Sequence, residues 1–174
     1  MRKLSAIAVG SLLCAGSAGA HCGAKNPDYF LVGGSSDYVV RISFDRKTLL
    51  DVSQLNNLED CPGSTAKLCF ISKALTFASE PTPGAASWTV DGLAFKATGL
   101  CTSKLCQKMK MDLKVIHSSR YGNDIDFYYN DACGLMGWSM TYPKEKGRVE
   151  TFMQLPPNGE IPTAAPAGTS AKNR

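Results

Sequence analysis

The chain has 174 residues, 44% of them hydrophobic and 20% charged, with 19 Lys and Arg against 15 Asp and Glu. That length suits one domain, and the apolar fraction excludes a disordered chain. Long uncharged apolar sequence is confined to the N-terminus, which excludes a polytopic membrane protein, and collagen-like, coiled-coil and low-complexity classes are excluded with it.

In chain order, Arg2 and Lys3 open the sequence, Leu4 to Cys14 is apolar or small, and Ala18-Gly19-Ala20 offers small residues at the spacing that signal peptidase cleaves. These features predict a signal peptide over 1–20 and a mature N-terminus at His21. The apolar stretch is well short of the ~20 residues that span a bilayer. Leu13 stands before Cys14 where an acylated cysteine needs a small neighbour. Removing 1–20 leaves 17 basic and 15 acidic residues and six cysteines. The charge forms no basic stripe for nucleic acid, and no transmembrane segment is expected in the mature chain.

Tyr29 to Val32 and Tyr38 to Phe44 read as a hairpin, with Tyr38, Val40, Ile42 and Phe44 on one side. Leu49 to Leu58 is the best helical candidate, and Leu68 to Phe77 reads as a strand. Trp88 to Val90 and Leu93 to Phe95 flank Asp91-Gly92, a strong two-residue hairpin signal because Gly accepts positive φ. Lys108 to Val115 alternates charged and apolar residues and reads as the clearest strand, with His117 continuing its buried register at the inner end. Ile125 to Tyr129, Leu135 to Tyr142 and Arg148 to Leu155 complete the strands. From Pro156 onward Pro, Gly, Ala, Thr and Ser predominate. The expectation is an all-β fold: a small antiparallel β-sandwich or barrel of about seven to nine strands, disulfide-stabilised, with at most one short helix. A single β-rich domain over 21–155 precedes a disordered Pro/Ala/Gly-rich tail over 156–174.

Six cysteines allow 15 pairings. Cys61 with Cys69 and Cys101 with Cys106 enclose short turn-rich segments, which leaves Cys22 for Cys133. A bridge closing about 110 residues contributes roughly 4–5 kcal/mol in the chain-entropy model. No CxxC pair accompanies them, so disulfides are preferred over zinc. Such a framework belongs to an oxidising compartment, periplasmic or secreted.

The chain carries no nucleophile elbow, zinc-protease helix, phosphate loop or dinucleotide fingerprint, and only two histidines. The acidic pairs Asp124/Asp126 and Glu59/Asp60 are of the kind that turns and solvated faces commonly hold. Met109 and Met111 read as core filling rather than thioether ligands. An N-terminal His21, with its free amine, and His117 together resemble the histidine brace of copper-dependent polysaccharide monooxygenases and related copper-binding proteins. The resemblance implies copper held by these two residues. A second candidate site is a recognition surface of Lys114, Arg120, Tyr121, Asp126 and Tyr128, with Lys114 beside Tyr128 on the wet face of a hairpin. The leading expectation is an exported non-enzymatic binding protein, an inhibitor, adaptor or immunity-type protector, whose partner is another protein and which needs no cofactor. The alternatives are a copper-binding protein or copper oxidase, and a structural envelope component.

Overall fold

The computed structural model describes residues 26–33, 38–51 and 54–154. The predicted signal peptide, His21, Cys22, Leu155 and the predicted tail lie outside them. Twelve strands, one α-helical turn and one 3-10 turn (Pro143–Glu145) are defined: β1 (Asp28–Leu31), β2 (Val39–Ser43), β3 (Thr48–Asp51), β4 (Gln54–Asn57), β5 (Cys69–Phe70), β6 (Phe77–Ala78), β7 (Ser87–Val90), β8 (Leu93–Leu100), α1 (Lys104–Lys108), β9 (Lys114–Arg120), β10 (Asn123–Asn130), β11 (Gly134–Tyr142) and β12 (Arg148–Gln154). The protein is nearly all-β and antiparallel, with more strands than the seven to nine expected. Ten of them form one sheet in the order β4-β3-β2-β1-β12-β11-β10-β9-β8-β7. Its edges, β4 and β7, are not paired with each other among the described residues, and β5 and β6 form a separate two-stranded hairpin.

That hairpin defines the inner face. Phe77 packs on Phe127 of β10 with ring centroids 5.0 Å apart, and Phe70 bridges Phe77 and Phe44. Tyr29, Ile42, Leu49, Phe95, Ile116, Trp138 and Phe152 complete this core. The outer face carries a smaller cluster in which Cys106, Met109 and Leu113 cover Met136 and Met153.

Several local expectations hold for physical reasons. Tyr29 pairs with Val40 in the β1–β2 hairpin. Asp91 (φ 50°) and Gly92 (φ 72°) both take the positive φ required by the two-residue turn joining β7 to β8. The Cys61–Cys69 and Cys101–Cys106 disulfides form. Cys133 is also disulfide-bonded, and its expected partner Cys22 lies outside the described residues.

Three elements differ from expectation. The described residues of Leu49 to Leu58 are not helical but pair as β3 with β4, with Leu49 buried and Leu50 opposite Leu55. The open edge of β2 recruits them, and tertiary context overrides a weak helical pattern. Leu68 to Phe77 is two short strands about a turn at Ser72, whose Oγ accepts hydrogen bonds from the backbone N–H groups of Ala74 and Leu75.

Lys108 to Val115 is not a strand. Lys108 ends α1, Lys110 sits at φ 53°, and β9 begins only at Lys114. The alternation there misleads because the chain leaves α1 at Lys108 and turns through the left-handed Lys110, so that of 108–115 only Met109 and Leu113 are buried. The register of β9 is consequently shifted by one residue. Ile116 and Ser118 point inward, while Val115 and His117 point outward, as a one-residue slip requires.

Candidate functional site

The outward residues of six adjacent strands align in one row: Ser87, Lys96, His117, Asp126, Ser139 and Thr151 are successive cross-strand partners from β7 through β12. Every member is polar, and side-chain hydrogen bonds fix the centre. His117 Nδ1 donates to Asp126 Oδ1 over 2.8 Å, with both side chains substantially exposed (40% and 49%). Ser139 Oγ lies 2.7 Å from both Tyr128 Oη and Thr151 Oγ1, forming a hydroxyl chain across three strands. Below this row, Tyr128 joins the outer apolar cluster under Met109 and Leu113, and burial raises its pKa. Above it lie Ser119, Asp124, Thr141 and the exposed Val149.

The order of residues limits the chemistry. Nucleophilic catalysis by a hydroxyl needs the imidazole between hydroxyl and carboxylate. Here Asp126 stands between His117 and Ser139, so the row supplies no activated serine. It presents donors and acceptors at fixed spacing on a pleated surface.

The five residues expected to form a recognition surface do not lie together. Asp126 and Tyr128 are on the outer face. Lys114 lies opposite Tyr129, not Tyr128, and forms ion pairs with Glu80 (3.2 Å) and Asp131 (3.0 Å). These partners, Asp131 foremost, raise its pKa. Arg120 donates to the backbone oxygen of Ser72 (2.9 Å) and to Thr76 Oγ1 (3.3 Å), clasping the β5–β6 turn to the sheet, and its guanidinium covers the Tyr121 ring. Tyr121 itself is at the β9–β10 turn and 79% exposed. The register slip in β9 is what moved Lys114 and Arg120 to the inner side.

His117 is not buried at a strand end, as the alternation of Lys108 to Val115 had implied, but faces outward in the middle of β9. His21, the other half of the copper pair, lies outside the described residues. Among the described residues no three His, Cys, Asp or Glu side chains gather into a metal-binding group.

A further site lies at one end of the inner face and includes none of the expected residues. Tyr38, Val40, Leu49, Asp51, Leu75, Trp138, Met140, Tyr142, Glu150 and Phe152 surround a cavity of about 80 Å3. Tyr142 donates to Glu150 Oε2 over 2.9 Å, while Arg148 Nη1 lies 3.3 Å from Oε1 and its guanidinium covers the Tyr142 ring at 4.5 Å. Burial, then the bond to Glu150, pushes the Tyr142 pKa up to about 12. The Asp51 carboxylate has no ion-pair or side-chain hydrogen-bond partner among the described residues, and burial followed by the nearby Glu150 raises its pKa. The sequence did carry a signal: Asp51 and Glu150 occupy inward positions of β3 and β12, two residues from the core residues Leu49 and Phe152.

The chain matches no family model, no curated protein and no solved structure.

Proposed function

We propose that the protein is an exported, non-enzymatic binding protein, an inhibitor, adaptor or immunity-type protector, that engages another protein through its outer sheet face. The observation that carries this reading is the in-register polar row, with His117 tied to Asp126 and Tyr128, Ser139 and Thr151 joined by hydroxyl bonds. Side chains already held by their neighbours lose little freedom on docking, so a preorganised row of this kind favours recognition. The disulfides are compatible with a periplasmic or extracellular setting, and no described helix is long and apolar enough to cross a membrane. Basic residues before an apolar stretch and Ala18-Gly19-Ala20 support export.

The test uses the full chain as bait in the native envelope or medium, beside a double variant Asp126→Lys, Ser139→Arg. The expected result is one stoichiometric partner recovered with the wild-type protein and lost with the variant, both unfolding at comparable temperatures. Equal recovery with the variant overturns the outer face as the docking surface.

One observation favours copper as a second reading. Asp126 accepts from His117 Nδ1, which orients the ring and leaves Nε2 as a ligand atom, as carboxylates do behind metal-bound histidines. Cu(II) titration of protein beginning at His21 decides it. Tight binding lost both in His117→Ala and on adding one N-terminal residue supports the copper reading, and absence of binding removes it.

A further inference from the structure

The cavity on the inner face combines aromatic and aliphatic walls with a half-buried carboxylate, Asp51, that has no counter-ion among the described residues. Of its two acids, Glu150 is already answered by Arg148 and by the Tyr142 hydroxyl. Asp51 makes no ion pair with a described residue, and the described charge that acts on it, Glu150, has the same sign. Tyr38, Trp138, Tyr142 and Phe152 supply rings around the space, and Val40, Leu49, Leu75 and Met140 supply apolar surface. The Tyr142 ring already carries one cation, the Arg148 guanidinium. Aromatic faces attract cations through their quadrupole, most strongly where water is excluded.

We propose that this cavity binds the head group of a methylated ammonium cation, with Asp51 as its counter-ion and Tyr38, Trp138 and Tyr142 as its aromatic walls. The chemistry separates this ligand from its competitors. A bare ammonium would give up water for walls that offer few acceptors, whereas methyl groups make contact with Val40, Leu75 and Met140. A hard divalent cation needs six or more oxygen ligands, and the cavity has two carboxylates, one of them already engaged. An anion would meet Asp51 and Glu150 and be repelled. A neutral ligand would leave Asp51 uncompensated. This site is independent of the outer face, so failure of either reading leaves the other standing.

Choline is the probe, titrated into the full chain by calorimetry while the Met140 methyl signal is followed by NMR. The expected result is saturable one-to-one binding in the millimolar range or tighter, with the Met140 signal shifting in step. The uncharged alcohol in which carbon replaces the ammonium nitrogen has the same shape and is expected not to bind. Asp51→Asn keeps the volume and removes the charge, and is expected to weaken choline binding by about tenfold or more. Leu55→Ala, on the exposed edge strand β4, is expected to leave it unchanged. Absence of saturable choline binding overturns the proposal, as does equal affinity for the uncharged analogue or unchanged affinity in Asp51→Asn. The analogue comparison needs no variant and decides the matter even where Asp51→Asn fails to fold.

Discussion

Asp51 occupies a position where strand alternation calls for an apolar side chain, and its pKa is raised by burial and then by Glu150. A carboxyl that holds its proton more tightly in the folded state than at its ordinary value of 3.8 opposes folding when ionised. That cost is absent below about pH 3.8 and is fully present once the pH exceeds the raised folded-state value. Asp51→Asn is therefore expected to raise the melting temperature at neutral pH, with the gain fading as the pH falls to the ordinary value, measured by thermal unfolding across that range. A gain that persists at low pH would point to packing rather than charge. Gly137 is the opposite case, a residue with no room for change: a Cβ there would lie 2.2 Å from the Phe152 backbone oxygen and 2.4 Å from Met153 Sδ. Gly137→Ala is expected to destabilise by about 1–3 kcal/mol, read from denaturant unfolding. Neither residue was singled out from the sequence. Asp51 was hidden inside a segment read as helix, and the constraint on Gly137 comes from a neighbouring strand that local pattern does not reveal.

Helix α1 shows why an element can be misread while its composition is read correctly. The alternating Lys and Met residues of 108–111 fit a two-residue period. The decisive signal was Ser103, whose side chain accepts from the backbone N–H of Cys106 as an N-cap. The Asp91-Gly92 hairpin was legible because its turn chemistry is self-contained, whereas α1 is five residues long and persists by packing on the outer face and by the Cys101–Cys106 disulfide. Loss of that bridge is expected to free α1 from Met136 and Met153 while leaving the sheet paired. The double variant Cys101→Ser, Cys106→Ser should lose about 2 kcal/mol of stability from chain entropy alone. Hydrogen exchange should accelerate across 103–113 and not across β10 and β11. Uniform acceleration would show instead that α1 is integral to the global fold.

For the whole molecule, the all-β class was legible because the hairpins are local, but strand order was not, since the central joint is between β1 and β12. Tyr29 pairs with Gln154, and the Tyr29 hydroxyl donates to the Leu135 backbone oxygen over 3.0 Å, so β1 reaches across β12 to β11. Burial raises the Tyr29 pKa well above its usual range, keeping the hydroxyl a donor. Gln154 Nε2 donates to the same oxygen over 2.5 Å. Because that oxygen keeps one partner, Tyr29→Phe is expected to cost about 1 kcal/mol rather than the larger penalty of an orphaned buried acceptor, as measured by chemical denaturation.

The joint between β1 and β12 also sets a schedule for biosynthesis. Strands β1 to β4 can zip together while the chain is still on the ribosome, but the second neighbour of β1 comes from residues 148–154, after every other strand of the sheet. Until they emerge, the nascent polypeptide carries a bare, adhesive seam at what will become the middle of the sheet. A holdase that shields this seam would therefore be needed longer than for a meander completed neighbour by neighbour.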